Sequence, residues 1–401
     1  MNGSANGHNT TTHEVSASHA NGNTALLSQI HEALKLVHAP YSSNQSRQQA
    51  SSFLENIKAE DEAPYHGFTL ASDKSQEPVV RHYALSLLEH AIKHKWAAYS
   101  EGQASALRQW TAQLWVEIAK RSWGSEWIDM DKLLVGLWEL PGTVVYKEFV
   151  LFVLETLSDE VFNGEDAVTV LREGALSKAC VEIFTPAIVL SEAFPNRQLG
   201  TVLRHGDEGW LVRIGGLLGQ CLQLDISSPQ YQSCAVKILA VYRSVVPWTV
   251  PKAISSAQCV QYMCKCLAAP STPVQLASVQ ALFALYTRVH FSDEEFLELV
   301  CPMYTSEVVG LLRNLFQWSV VDANDIDDEK YLFAKKFSEM MSNLGVFIES
   351  KISAIPESCD LSNLLNLFLA IAQSQSLVVS IPIILTWTKL LRSPIIGDLL
   401  L

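Results

Sequence analysis

Residues 76–96 read Gln76-Glu77-Pro78-Val79-Val80-Arg81-His82-Tyr83-Ala84-Leu85-Ser86-Leu87-Leu88-Glu89-His90-Ala91-Ile92-Lys93-His94-Lys95-Trp96. Val80, Tyr83, Ala84, Leu87, Leu88, Ala91, Ile92 and Trp96 recur at α-helical spacing and form one apolar stripe. Arg81, His82, Ser86, Glu89, His90, Lys93 and His94 take the other side. Glu89 stands four residues before Lys93, the favourable order for a surface ion pair. Pro78 suits a first helical turn, where its missing N–H has no partner to lose. Such a helix must be covered by other helices.

The chain supplies them. Leu26, Leu27, Ile30, Leu34 and Val37 form an earlier stripe that Pro40 ends, and Ala50, Phe53, Leu54 and Ile57 form another. Leu107, Thr111, Leu114 and Ile118 carry the pattern to Arg121, and Trp127, Met130, Leu134 and Leu137 carry it to Pro141-Gly142. A further stripe runs through Val145, Phe149, Phe152, Val153, Thr156 and Leu157. Helical runs are predicted over 167–190, 208–224, 230–246, 257–268, 274–289, 294–320, 330–350, 361–373 and 376–391, with breaks at Pro195, Pro229, Pro247, Pro251, Pro270, Pro273 and Pro356. No convincing period-two strand occurs. Around 230–289 two helices recur within roughly 40–50 residues, the period of HEAT and armadillo pairs. The expected fold is therefore all-α: an α-α superhelix, a HEAT/armadillo-type solenoid in which each hairpin covers its neighbour. A closed all-helical globule has the same periodicity and stays open. Residues 1–23 hold almost no large apolar side chain and are expected to be a disordered tail. The last residues, Ile395-Ile396-Gly397-Asp398-Leu399-Leu400-Leu401, are apolar where a finished solenoid would carry a polar cap, so the chain is expected to be the N-terminal part of something longer or a shortened gene product, with a terminal element tucked into the core as the alternative.

The 401 residues are 48% hydrophobic and 18% charged, a balance that speaks for extensive burial of helix surface. The formal charge of −13 repels phosphates at long range. Only short basic patches occur, at Lys93 to Lys95, Lys120-Arg121 and Lys335-Lys336. The eight cysteines mostly sit in apolar helical runs and read as reduced core thiols. The apolar run Leu377 to Trp387 is broken by Pro382 and is too short to span a bilayer, so no membrane insertion is expected.

Site chemistry is thin. His90 and His94 stand four apart on one helix, but no third ligand or zincin order accompanies them. Cys264 and Cys266 would point to different sides of a helix, which disfavours a zinc site with Cys259. Gly215, Gly216 and Gly219 lack the strand and spacing of a phosphate loop and read as a place where helices approach closely. Asp322, Asp325, Asp327, Asp328 and Glu329 lack the glycine of a calcium loop and read as a solvated acidic loop. Trp110, Trp115, Trp123, Trp127 and Trp138 cluster, as packing between hairpins rather than as a stacking platform. No catalytic site, cofactor or metal is expected.

Val80-Arg81-His82-Tyr83-Ala84-Leu85 with Leu87-Leu88-Glu89-His90, ending on Lys95-Trp96, resembles the N-terminal homology region of the importin-β superfamily of karyopherins, in the wording of exportin-5 and its fungal counterparts. Val116 to Trp123 followed by Trp127-Ile128-Asp129-Met130 resembles the family's Lys-Arg-x-Trp and Trp-x-Asp-Met motifs. Gln373 to Leu391, with Thr386-Trp387 inside it, is similar to a later repeat of the same proteins. The resemblance spans residues 42–396. It implies a non-enzymatic nuclear transport receptor, an exportin, with importin-β N-terminal-like, Ran-binding repeats over 24–140 and exportin-1/importin-β-like HEAT repeats over 141–401, incomplete at the C-terminus. The implied partners are Ran-GTP, a cargo protein or double-stranded RNA or tRNA, and Phe-Gly nucleoporins docking between outer helices. The receptor is expected to be a monomer shuttling between nucleus and cytoplasm. One departure is expected: between Trp96 and Arg121 a family segment is missing, and two helices run as one around Leu107 to Thr111. The residues chosen for partner contact are Asp129, Asp131 and Lys132, on the helix after Trp127, where acidic groups would suit a basic patch on a GTPase. The competing reading is a HEAT-repeat scaffold or adaptor not linked to Ran.

Overall fold

The computed structural model describes residues 11–73, 75–95, 98–141, 144–197, 200–288, 290–320 and 327–392. Among these there is no strand, only two isolated bridges, Trp123 with Trp127 and Thr305 with Cys359. The chain divides into two compact units, Met1–Leu114 and Trp115–Leu401.

In the first unit α1 (Thr11–His38) pairs with α2 (Asn44–Lys58), and α3 (Ala63–Ser72) with α4 (Pro78–His90). Ile30, Ala33 and Leu34 of α1 meet Ala50, Leu54 and Ile57 of α2 in one core with Leu70, Ala71, Val80, Tyr83, Ala84 and Leu87. The Tyr83 hydroxyl donates to the Leu54 carbonyl at 2.7 Å and ties the two hairpins together. Gly67 lets α3 lie close on α4, since a Cβ there would stand 2.8 Å from the Ala84 carbonyl oxygen. Pro78 occupies the first position of α4, as its missing N–H permits.

Several expectations are corrected in this unit. Helix α3 carries no clean stripe and was not foreseen. Helix α1 spans Thr11–His38 and so overlaps the 1–23 stretch read as a tail. Residues 1–10 lie outside the described residues, as does Trp96. A π-helical turn, Ala91–Lys95, follows α4. The wider turn inserts about one residue, roughly 100° around the axis, and Ile92 leaves the stripe, 42% exposed.

Helix α5 (Glu101–Ser122) runs unbroken through Leu107 to Thr111, and the boundary between the units falls inside it. The second unit continues with α6 (Met130–Trp138), α7 (Val145–Phe162), α8 (Ala167–Phe184), α9 (Ala187–Ala193), α10 (Trp210–Gln223), α11 (Pro229–Val245), α12 (Pro251–Ser256), α13 (Cys259–Leu267), α14 (Thr272–Tyr286), α15 (Asp293–Leu299), α16 (Ser306–Ser319), α17 (Asp328–Lys351), α18 (Leu361–Ala372) and α19 (Leu377–Arg392). Here α6 pairs with α7, α10 with α11, α13 with α14, α16 with α17 and α18 with α19. The second helix of each pair also packs on the second helix of the next: α7 on α11, α11 on α14, α14 on α17 and α17 on α19. This all-α, two-layered succession of hairpins is the HEAT-type arrangement. It explains the sequence of α14, which is apolar on nearly every side because α11, α13 and α17 surround it.

Polar side chains lock the layers. Arg288 donates to the Val246 and Thr249 carbonyls and so satisfies the end of α11. Ser244 and Trp248 converge on Ser158 at 2.7 and 2.9 Å, and Trp248 stacks on Phe162 with centroids 4.1 Å apart. Gly345 of α17 faces Thr386 of α19, where a Cβ would come within 2.3 Å of the threonine methyl. The predicted run 167–190 breaks at Thr185-Pro186, because proline drives the preceding residue to extended backbone. The run 294–320 breaks at a 3₁₀ turn, Cys301–Tyr304, which holds Pro302.

Candidate partner-binding surface

The surface begins where α5 ends. Lys120 is fully buried, with its ammonium 2.7 Å from Glu117, 2.7 Å from Glu160 and 3.2 Å from Asp166. Burial alone pulls its pKa down, but the hydrogen bonds and charges of Glu117 and Glu160 outweigh that and hold it above the ordinary lysine value. Arg172 of α8 donates to the Lys120 and Trp123 carbonyls and closes the end of α5. Gly124 then turns the chain at φ 80°, a conformation that favours glycine, and its N–H reaches the Trp127 carbonyl at 3.2 Å. Trp127 packs on Trp115, centroids 4.9 Å apart, and Trp115 meets Phe149 edge-on. That turn delivers Asp129 to the start of α6.

Helix α6 has two sides. Met130, Asp131, Leu134, Val135 and Trp138 are buried, and Asp129, Lys132, Leu133, Gly136 and Glu139 are exposed. The choice of Asp131 as a contact residue is thereby corrected, since it is 1% exposed. It lies at i with Leu134, Val135 and Trp138 at i+3, i+4 and i+7, on the core side. Its carboxylate accepts from the Trp210 indole N–H and from the His205 amide, both at 2.6 Å. Burial pushes its pKa up, while these hydrogen bonds and nearby Arg213 act against the rise. Trp210 meets Trp138 edge-on at 5.5 Å, and Arg213 lies over the Trp210 ring. A second buried carboxylate, Glu182, accepts from the Leu203 and Arg204 amides and pairs with Arg197. Two inward acids thus pin the segment between α9 and α10. Gly209 closes it at φ 76°, where a Cβ would stand 2.8 Å from the Pro186 nitrogen. Sequence reasoning missed Glu182, Arg197, Trp210 and Arg213; the one available signal was Asp131 falling on an apolar stripe.

Elsewhere the basic patches are matched by acids. Lys93 pairs with Glu89, Lys95 with Asp61, Arg121 with Glu117, and Lys336 with Glu339. The His90 and His94 rings lie 4.7 Å apart, and no group of three or more potential metal ligands assembles among the described residues. Gly215 and Gly219 seat Tyr262 of α13, the close helix approach read from their spacing. Asp327 caps α17 by accepting from the Glu329 and Lys330 amides; Asp322 and Asp325 lie outside the described residues, as do residues 395–401. Among the described residues no helix is long and apolar enough to cross a membrane.

No protein-family model matches the chain. Protein MSN5 of Saccharomyces cerevisiae is 26% identical over 355 residues, covering 80% of this chain and 28% of that protein. Exportin-5 of Mus musculus is 21% identical over 407 residues, covering 93% of this chain and 31% of that protein. The chain is related to the exportin karyopherins. It spans between 28% and 31% of the length of these two relatives. Among solved structures, Kap121p bound to RanGTP superposes with a TM-score of 0.31 at 11% identity, covering 94% of this chain and 41% of that one. A superposition of that quality aligns helices and no more.

Proposed function

We propose that this chain acts as a nuclear transport receptor of the exportin kind, binding Ran-GTP and a cargo and passing with them through the nuclear pore. The observation that carries the proposal is the exportin relation, which runs over 80% and 93% of the chain in the two relatives above. In this reading residues 24–140 form the Ran-binding repeats and 141–401 the HEAT repeats that meet cargo, whether a protein or a structured RNA. Phe-Gly nucleoporins dock on the outside, and the chain shuttles between nucleus and cytoplasm. No bond is made or broken; direction comes from linkage, Ran-GTP and cargo each raising the other's affinity. The outward side of α6, with Asp129 and Lys132 beside exposed Leu133, is the proposed point of contact with Ran.

The test is a pull-down with the immobilised chain and Ran loaded with a non-hydrolysable GTP analogue or with GDP. Retention of the GTP form alone is the expected result. Equal retention of both forms would assign the chain to scaffolds that do not read the nucleotide.

A further inference from the structure

Two free thiols meet outside the α-helices. Cys301 opens the 3₁₀ turn before α16, and Cys359 lies in the loop before α18. The backbone holds them together. Thr305 and Cys359 form an antiparallel bridge, and the Asp360 amide donates to the Tyr304 carbonyl at 2.7 Å. The Cys359 sulfur lies 3.9 Å from the Cys301 carbonyl oxygen, and the two thiols hydrogen-bond to each other. Cys301 is 7% exposed, whereas Cys359 is half-buried. The remaining cysteines lack one of these features. Cys221 of α10 and Cys234 of α11 also hydrogen-bond, but neither is more than 2% exposed. Cys264 is half-buried, yet its sulfur lies 3.5 Å from the Met303 thioether, which offers no second thiol. Cys180, Cys259 and Cys266 are buried in helices.

We infer that Cys301 and Cys359 are a redox-reactive pair, converted to a disulfide by hydrogen peroxide and restored by a thiol reductant. Cys359 is the attacking thiol, because it is the more exposed and the Cys301 hydrogen bond favours its thiolate. Its sulfur takes one oxygen from the peroxide; the O–O bond breaks, and the other oxygen leaves as water. The Cys301 sulfur then attacks the sulfenic sulfur. An S–S bond forms, the S–O bond breaks, and a second water carries off the proton of Cys301. Two thiols are oxidised and one peroxide is reduced to two waters. Burial pushes the Cys301 thiol up to about 12 and raises Cys359 as well. Thiolate is therefore scarce at neutral pH, and the rate should rise about tenfold per pH unit below the Cys359 pKa. The pair rests as thiols and answers sustained oxidation. Neither residue is in an α-helix, so the final approach of the sulfurs is taken up by a turn and a loop. The bond joins positions 58 residues apart and closes a loop that holds α16 and α17. Such closure restricts the unfolded chain and staples the α16–α17 hairpin to the α18–α19 hairpin.

The test treats the reduced, folded full chain with hydrogen peroxide, removes the peroxide with catalase, then denatures and alkylates the chain for peptide mass mapping. The expected result is a Cys301 peptide linked to a Cys359 peptide, with the other cysteines alkylated. The linked chain should unfold at higher urea than the reduced chain, and dithiothreitol should reverse the gain. In Cys301→Ser a cyclic 1,3-diketone should trap a sulfenic acid on Cys359, and in Cys359→Ser the Cys301 thiol should stay alkylatable. The wild-type mapping needs no variant. Cys301 and Cys359 both alkylated after peroxide would overturn the inference, as would a link through Cys221, Cys234 or Cys264. A sulfenic acid trapped on Cys301 in Cys359→Ser would overturn the assignment of the attacking thiol, and a link that leaves the urea midpoint unchanged would overturn the staple.

Discussion

Replacing Asp131 by alanine strips the Trp210 indole N–H and the His205 amide of their acceptor inside the protein. The Trp210 indole is the fully buried one of the two, and a buried donor left unpaired costs about 1–3 kcal/mol, so Asp131→Ala should destabilise the second unit by about that much in urea unfolding. Asp129→Ala and Lys132→Ala change exposed side chains and should stay within about 0.5 kcal/mol. In Ran binding the ranking reverses: Asp129→Lys should weaken retention of the GTP form without loss of fold. His66 gives a pH dependence. It is buried in α3, 1% exposed, and burial holds its pKa below the ordinary 6.5, with Glu62 and Glu60 opposing. The native state therefore resists a proton that the unfolded chain accepts. Stability of the first unit should be flat above pH 6.5 and fall below it, by at most about 1.4 kcal/mol per pH unit. Amide exchange of α3 and α4 between pH 7.5 and 5 would show this, and His66→Gln should remove that part of the slope.

At the scale of the element, glycines separate packing from propensity. Gly345→Ala places a methyl within 2.3 Å of Thr386 and 3.0 Å of Phe368, so α17, α18 and α19 must shift, at a cost of about 1–3 kcal/mol. Gly216 has nothing within 4 Å of its would-be Cβ, and Gly216→Ala should stabilise by up to about 1 kcal/mol through helix propensity. Thermal unfolding of the two variants compares them directly. The long amphipathic elements were legible from period alone: α4, α7, α11, α14 and α17 sit where their stripes place them. Proline marked the start of α11 at Pro229 and of α12 at Pro251, yet α12 itself, six residues long, is too short for a stripe to register. Helix α3 was missed because Ala63, Pro64, His66 and Gly67 are all buried in it, a mixture that no apolar pattern describes. On α6 the pattern pointed to Leu137 as core, whereas Val135 and Trp138 fill it, and that shift carried Asp131 inward. Which buried carboxylate holds which loop depends on residues far apart in sequence, such as Asp131 with Trp210, and no local spacing encodes it.

For the whole molecule, the proposed function is that the helical hairpins of each unit present surface rather than a reactive centre, a surface proposed to hold a GTPase in one nucleotide state. The hairpin pairing of α10 to α19 rests on contacts within the second unit, and the exportin relation rests on sequence running through both units. A scaffold with the same hairpins but no role in transport would share the architecture and differ only in what it grips. The direct measurement is therefore amide exchange over the full chain with Ran carrying a non-hydrolysable GTP analogue, set against Ran-GDP. The expected result is protection gained within residues 24–140, the outward side of α6 included, and only with the GTP form. Unchanged exchange with both forms, or the same protection with GDP, would contradict it.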